Sequence, residues 1–247
     1  MSGREPIATI AKLCVYPVKS MAGIAVEEVH VGIDGILGDR QYAFVQSDKA
    51  ATSSFPWMTG RENARMLAYQ PQWAEMPSPE KPEPMVRVRT PQGQVLDVSD
   101  PALLQELANP TGRPLFLLRN GRGMFDCQDI SLFSLASVQA LSAEAGCAID
   151  PRRFRANVYI EPASGQAFEE EKWAGRALRI GEEVVGGMSE RDSRCVMINL
   201  DPDSGRQDPN VLKAVAQGHQ GKAGIYVKVF RTGKIRVGDA VRWAETG

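Results

Sequence analysis

Short apolar runs that alternate with polar residues recur along this chain and predict many short strands. In residues 86–98, an alternating Val-Arg-Val-Arg run, the turn Pro91-Gln92-Gly93 and a returning run to Val98 are typical of a β-hairpin. Proline cannot donate a ladder hydrogen bond, so Pro17 ends the first strand. The other main strands are predicted at residues 7–16, 25–31, 41–45, 66–69, 115–118, 158–160, 177–181, 184–188, 224–230 and 235–243. The run at 115–118 is apolar throughout, which predicts a fully buried strand.

A helix is predicted directly after the hairpin. Either Ser99 or Asp100 serves as its N-cap, and Pro101 occupies the first helical position, where its missing N–H costs nothing. Leucines then recur at helical spacing, and a Pro-Thr-Gly sequence at 110–112 ends the helix.

Two further helices are predicted in the second half of the chain. One runs from about Leu132 to Ala145, with residues 126–131 opening it and Ser131 as its N-cap. The other covers Val211 to Gln217, begins at an Asp-Pro-Asn sequence and ends at Gly218. Strands and helices almost never alternate along the chain. The pattern therefore predicts a mainly β protein with a few helices (α+β), barrel-like or mixed antiparallel, and not a doubly wound sheet.

Composition excludes several classes of function. The 247 residues are 43% hydrophobic and 24% charged, enough for a substantial core, and the net charge is −1. Nucleic-acid binders rely on an excess of Lys and Arg, so we expect no nucleic-acid partner. The first six residues contain no apolar signal segment, and no run reaches the length of a membrane span. We therefore expect no membrane association and a cytoplasmic location.

The cysteines do not form a metal or disulfide framework. Cys14, Cys127, Cys147 and Cys195 are scattered and none forms a CxxC pair, so no iron–sulfur cluster is expected in this chain. Scattered cysteines in a chain of this size fit a reducing compartment. Only two histidines occur, which argues against a multi-histidine metal site.

The segment Ser193-Arg194-Cys195 carries the most specific candidate chemistry. A neighbouring guanidinium favours the thiolate form of a cysteine, and a thiolate is both a nucleophile and a ligand for soft metals. A cysteine before an apolar run can equally be a small core residue. The segment alone favours the core interpretation.

Basic residues at the ends of strands suggest an anion site. Lys19, Ser20 and Arg40 fall on predicted loops, and three arginines at 152, 153 and 155 precede the strand at 158. A pocket for one phosphate explains the arginine cluster with fewer assumptions than a nucleic-acid surface, because only Phe154 is nearby for stacking. For Lys19, Ser20 and Arg40 the alternative is solvated surface charge, and the local sequence by itself favours that alternative.

Five motifs in order give the chain a resemblance to the MOSC proteins, named for the C-terminal domain of molybdenum-cofactor sulfurase. Within that family it most resembles the mitochondrial amidoxime-reducing component and its bacterial relatives. The motifs are Tyr16-Pro17-Val18-Lys19-Ser20, Gly38-Asp39-Arg40, Arg153-Phe154-Arg155-Ala156-Asn157, Ser193-Arg194-Cys195 with the following Asp201-Pro202-Asp203-Ser204-Gly205, and Ile235 to Val241. The resemblance implies an N-terminal β-barrel domain at residues 1–100 and a barrel-like MOSC domain at 101–247.

The resemblance also implies a molybdenum–pterin (molybdopterin) cofactor. Cys195 matches the family's thiolate ligand of molybdenum, the metal-binding and catalytic position. Lys19, Ser20 and Arg40 match the positions that hold the cofactor's phosphate. The remaining positions that match cofactor contacts are Ser131, Arg155, Asn157, Ser193, Arg194 and Tyr226.

The implied activity is that of an oxidoreductase that converts an N–OH group of a small molecule to N–H. The chain has no cysteine-rich ferredoxin-like extension, so we expect electrons from a separate donor protein, a ferredoxin- or flavin-type reductase. The alternative is a carrier that uses the same cysteine, either for sulfur as a persulfide or to deliver the molybdenum cofactor. Both hypotheses require Cys195 to bind a group, either the cofactor's molybdenum or a sulfur atom.

Overall fold

The computed structural model describes residues 5–124 and 129–244. Three α-helices are present: α1 Pro101–Ala108, α2 Leu135–Ala145 and α3 Pro209–His219. The strands, in chain order, are β1 Ala8–Val15, β2 Ile24–Val26, β3 Glu28–Gly32, β4 Gly35–Ile36, β5 Tyr42–Gln46, β6 Gln70–Trp73, β7 Val86–Arg89, β8 Val95–Asp97, β9 Leu115–Arg119, β10 Ile130–Ser134, β11 Val158–Pro162, β12 Ala177–Ile180, β13 Val184–Ser193, β14 Lys222–Arg231, β15 Gly233–Arg236 and β16 Ala240–Trp243.

Seven strands form a closed barrel in the order β11, β10, β14, β13, β12, β16 and β1, and β1 pairs back onto β11. The pairs are antiparallel except β10 with β11, which are parallel and are connected through α2. Closure leaves no free edge among the seven strands. The short strand β2 hydrogen-bonds to β1 outside this ring.

Alternate residues of the barrel strands fill its interior. Ile10, Leu132, Val158, Ile225 and Val241 are each at most 1% exposed and belong to one core cluster. Because strand side chains alternate between two faces, each strand supplies every second residue to this core. A second cluster lies outside the barrel, where α2 and α3 pack over Phe133 and Tyr159.

A third cluster stabilises the small sheets that contain β5 to β9. Phe44, Met66, Val88, Leu103 and Leu107 are fully buried together, so α1 covers these sheets with the leucine face predicted from the sequence. The N-cap of α1 is Asp100, whose carboxylate accepts a hydrogen bond from Ala102 N at 2.8 Å. Within the described ranges, no helix has the length and apolar character needed to cross a bilayer.

The fold confirms the predicted mainly β class and corrects the second helix. This helix begins at Leu135, and its N-cap is Ser134, which accepts from Ala136 N and Ser137 N. Ser131 lies inside β10, so its predicted role as a cap is wrong. All five residues of β10 are buried between β11 and β14, and strand pairing to distant segments outweighs the local helix signals. Residues 126–128 of the predicted opening, with Cys127, lie outside the described residues.

Two predicted strands also differ. Residues 66–69 fall mostly in a 3₁₀ helix, Ala64–Ala68, and not in a strand. The strand β9 forms as expected but is not fully buried, because it pairs only with β5 and leaves Phe116 42% and Leu118 39% exposed. The predicted boundary between domains at residue 100 stays a prediction; β1 and β2, from the first part of the chain, hydrogen-bond within the barrel sheet.

Candidate functional site

All ten residues that the resemblance matches to metal or cofactor positions line one cavity, as does Arg153 of the arginine cluster, whereas Arg152 does not. The ten come from six separate stretches of chain, and the structure brings every one of them together: Lys19, Ser20, Arg40, Ser131, Arg155, Asn157, Ser193, Arg194, Cys195 and Tyr226. Solvated surface charge is therefore the wrong interpretation for Lys19, which is 8% exposed, and for the buried Ser20.

Barrel strands position one wall of this cavity. Ser131 on β10 stands opposite Tyr226 on β14 in the strand register. The neighbouring Gly224 has φ +79°, and a Cβ there would lie 2.9 Å from the Phe133 ring, 3.0 Å from Leu132 O and 3.2 Å from Arg194 Nη2. Only glycine permits β14 to approach β10 and the arginine this closely.

Cys195 lies at the point where β13 ends. Arg194 N donates to Gly221 O at 2.8 Å, which ties the chain to the residue before β14. Cys195 then begins a 3₁₀ helix, Val196–Asn199, and is half-buried. The thiol is thus held on a short hydrogen-bonded turn at the cavity wall and is still accessible, as a metal ligand or nucleophile must be.

Arg194 forms a buried ion pair that the sequence analysis missed. Its Nη1 lies 2.9 Å from Asp192 Oδ2, with side-chain exposures of 6% and 4%. Arg194 also donates to Ala223 O and Phe154 O, each at 2.8 Å. Burial raises the pKa of Asp192 despite this arginine. Asp192 also accepts from Ser131 Oγ at 3.1 Å, so one carboxylate connects two of the predicted residues.

Tyr226 completes this group. Burial raises the pKa of its phenol above the ordinary value, and the adjacent Asp192 carboxylate raises it further. Tyr226 therefore remains a neutral hydroxyl at physiological pH, and its hydrogen bond to Asp192 joins it to the same buried group.

A second buried carboxylate, Asp39, organises the opposite set of residues. Asp39 accepts from Tyr16 N at 2.7 Å, from Asn157 Nδ2 at 3.1 Å and from Arg40 Nη1. Burial alone would lower the pKa of Arg40, but Asp39 offsets this effect and the pKa is raised. Arg40 Nη2 donates to Arg155 O at 3.0 Å. The arginine is thus fully charged and fixed in position before any ligand arrives.

Tyr16 supports two guanidinium groups. Arg40 and Arg155 lie over its ring, with Cζ 4.7 Å and 4.3 Å from the centroid. Arg155 Nη1 donates to Met21 O at 2.8 Å. Burial lowers the pKa of Arg155 to about 10, and the positive charge of Arg40 contributes to this decrease. Such a site favours an anion, because Asp39 compensates Arg40 whereas Arg155 has no carboxylate partner among the described residues.

The backbone at this end of the cavity is strained. Ser20, Arg40 and Arg155 adopt the left-handed conformation, with φ of 68°, 50° and 54°. For residues other than glycine this conformation costs about 1 kcal/mol or more, and such costs concentrate at functional sites. Backbone hydrogen bonds from Arg40 N to Tyr16 O (2.7 Å) and from Arg155 N to Arg152 O (3.2 Å) hold two of these residues in place, and all three line the cavity.

Several residues in or beside the cavity gave no separate signal in the sequence. The sequence signal for Asp39, Tyr16 and Asp192 was their position, because each adjoins a predicted site residue or belongs to one of the five motifs. Thr59 and Arg61 line the cavity from a distant turn, and nothing in their local pattern distinguishes them from ordinary turn residues.

The cavity suits an anionic cofactor that itself supplies most of the ligands of a metal ion. Arg155 Nη2 and Arg194 Nη2 are buried there without a hydrogen-bond partner in the described part of the chain, which leaves two donors for a ligand. Among residues 5–124 and 129–244, no group of three His, Cys, Asp or Glu side chains could hold a metal ion. A metal at Cys195 would thus need most of its ligands from a cofactor, and a phosphate-bearing cofactor also suits the paired arginines.

Comparison with family models gives two matches that together span most of the chain. The model described as "MOSC N-terminal beta barrel domain" matches residues 7–111. The model described as "MOSC domain" matches residues 120–242, which include Cys195 and the barrel strands β10 to β16 except the end of β16. A search of curated proteins found no match.

Comparison with solved structures finds the same fold in a protein of low sequence identity. The YUAD protein of Bacillus subtilis is 13% identical, with 97% of each chain covered and a TM-score of 0.51. YiiM of Geobacillus stearothermophilus is 19% identical over 48% of this chain and 55% of its own, with a TM-score of 0.37.

Proposed function

This chain belongs to the MOSC-domain proteins, and from that premise we propose that its cavity holds a molybdenum–pterin cofactor with Cys195 as the protein's metal ligand. The observation that carries the proposal is the convergence of one accessible cysteine and several buried arginines in a single cavity. A thiolate suits a soft or high-valent metal, and guanidinium groups suit a phosphate.

The residues divide into three groups by their chemistry. Lys19, Ser20 and Arg40 would bind the phosphate, with Arg40 held by Asp39. Arg194 offers a buried N–H without a partner among the described residues to the polar edges of the pterin, and Arg155 adds its positive charge from the cavity wall. Ser131, Asn157, Ser193 and Tyr226 line the same cavity and add neutral hydrogen-bonding groups.

We propose that the bound cofactor supports reduction of N-hydroxylated small molecules. When bound, the cofactor would supply two-electron redox chemistry at molybdenum. The net reaction consumes the N–OH group, two electrons and two protons, and yields N–H and water. The role of this chain's residues is to bind the cofactor, hold Cys195 at the cavity wall and orient the N–O bond toward it. The electrons would come from a separate donor protein.

Metal and pterin analysis beside an activity assay tests this proposal. The protein would be produced in a host that makes the cofactor, and molybdenum content and oxidised-pterin fluorescence would be measured. Reduction of benzamidoxime would be followed with reduced methyl viologen as the electron donor. We expect about one molybdenum per chain and turnover in the wild type, and a loss of turnover of at least about 100-fold in Cys195→Ser because the thiolate ligand is removed. Cys147→Ser is the matched control, since Cys147 is half-buried outside this cavity.

Two results would contradict the reductase. Protein without molybdenum from a competent host, or a Cys195→Ser variant that still reduces benzamidoxime, would rule out Cys195 as the metal ligand of an enzyme. Intact-mass measurement separates the carrier alternative, because a persulfide on Cys195 with no bound pterin would indicate sulfur transport.

A further inference from the structure

A second cavity lies behind the first and has chemistry of its own. It is bounded by β1 and β2 on one side, by the small sheet of β6 to β8 on another, and by the residues around Arg152 and Leu200. Its volume is about 700 Å³, within the range of roughly 300–1,000 Å³ that holds small organic ligands. Arg153, Arg155 and Met197 form a wall that the two cavities share.

The charged lining of this second cavity is mainly cationic. Of its lining arginines, Arg152 is neutralised by Asp150 and Asp203, each at 2.7 Å, and Arg153 lies 3.3 Å from Asp201. Arg155 has no ion pair with any described residue. Its guanidinium is buried against Tyr16 with Nη2 lacking a partner, so an anion in the cavity would gain a charge-assisted hydrogen bond.

Thr90 provides an independent polar group. This residue is 3% exposed and lines only the second cavity. Its backbone is used by the hairpin, since Thr90 N donates to Gln94 O at 2.8 Å and Gly93 N donates to Thr90 O at 2.9 Å. The hydroxyl Oγ1 is buried and has no hydrogen-bond partner among the residues that the structure describes, an arrangement that costs free energy unless a ligand provides one.

Part of the remaining wall is apolar, and it lies beside polar lining residues: Lys12, Gln70, Gln72 and Arg89. Leu67, Ala68, Pro71 and Leu200 line it, and Leu67 and Leu200 are 6% and 3% exposed. An inorganic ion would leave these apolar side chains exposed to water, whereas an organic ligand would bury them. The combination of an unpaired guanidinium, a lone hydroxyl and apolar walls is typical of sites for amphipathic acids.

We infer that the second cavity binds an amphipathic monoanion, an aromatic or aliphatic body that carries one carboxylate or sulfonate group. The anionic group contacts Arg155, the apolar body lies along Leu67 and Ala68, and Thr90 donates to an acceptor on the ligand. Arg155 lies in the wall that the two cavities share, whereas Thr90 and the apolar wall belong to the second cavity alone.

Fluorescence titration with anilinonaphthalene sulfonate, an amphipathic sulfonate, tests the inference on the full chain. We expect one dye per chain in the wild type. Ala68→Trp and Ala25→Trp fill the cavity from two different walls, and each is expected to weaken dye binding at least about tenfold. Ala50→Trp adds the same side chain at an exposed position outside both cavities and is expected to leave the affinity within about twofold. Circular dichroism and thermal unfolding establish that each variant folds.

A third tryptophan variant locates the dye. Ser193→Trp fills the first cavity only, and we expect dye affinity to stay within about twofold of the wild type. Thr90→Val removes only the hydroxyl and is expected to weaken binding by about threefold or more. The inference is overturned if the wild type binds no dye, if both filling variants bind it as well as Ala50→Trp does, or if Ser193→Trp weakens binding as strongly as they do.

Discussion

Two buried aspartates, Asp39 and Asp192, organise the residues of the first cavity. Asp39 connects Tyr16, Arg40 and Asn157, and Asp192 connects Ser131 with Arg194. Each carboxylate would repel the cofactor's anionic groups, so neither is suited to contact them directly. Both hold cations and amides in fixed orientations, which lowers the ordering cost when an anion binds.

Replacement of Asp39 by asparagine tests this role. Asp39→Asn keeps the shape but leaves Arg40 buried without its compensating charge, and we expect the free energy of unfolding to fall by about 3 kcal/mol. We also expect a lower ratio of bound pterin to protein. Urea unfolding and pterin fluorescence measure the two effects. Asp48→Asn is the matched control, because Asp48 lies 3.7 Å from Arg113 with its side chain 49% exposed, and such pairs contribute about 1 kcal/mol or less. Equal stability losses in the two variants would contradict the role of Asp39.

Secondary-structure elements with strong local signals were predictable, and those defined by distant partners were not. The hairpin of β7 and β8 and the helix α1 follow from a glycine turn, a capping residue and a proline. The start of α2 was placed too early because β10 has no strong strand signal of its own. The pairing of β10 with β11 and β14 makes it a strand.

The N-cap of α1 can be assigned by mutation, since the sequence left Ser99 and Asp100 as alternatives. Asp100 accepts from Ala102 N, whereas the Ser99 hydroxyl donates to Asp97. We expect Asp100→Ala to lower the free energy of unfolding by about 1 kcal/mol, because one helix N–H loses its partner. Ser99→Ala should change it by less than about 0.5 kcal/mol. Denaturant unfolding of the two variants compares them directly, and a larger loss in Ser99→Ala would identify serine as the cap.

The barrel as a whole depends on contacts between the two ends of the chain. The strand β1 pairs with β11 along most of its length and with β16 near its start. The loop after β1 carries Lys19 and Ser20, so closure of the barrel also places these residues beside β10 and β14. The same strand pairing therefore stabilises the barrel and brings the site residues together.

Truncation of a barrel residue on β1 measures how much this strand contributes to the stability of the barrel. Ile10 is 1% exposed and pairs with Ile160, and Ile10→Ala should lower the free energy of unfolding by about 2–5 kcal/mol through lost burial and the remaining cavity. Ile33→Ala, at a residue 54% exposed, is the control and should change it by about 0.5 kcal/mol or less. Thermal and denaturant unfolding provide the comparison. A neutral Ile10→Ala variant would show that β1 does not hold the barrel closed.

The sequence by itself determined the identities of the candidate site residues and the mainly β class. The ordered motifs around Lys19, Arg40, Arg155 and Cys195 are local patterns, and local patterns can be read without a structure. Only the tertiary structure decided that these residues share one cavity, that Asp39 and Asp192 hold them, and that Ser131 belongs to a strand. Each of these facts depends on contacts between segments far apart in sequence. Such contacts arise from barrel closure and burial, and no single segment encodes them.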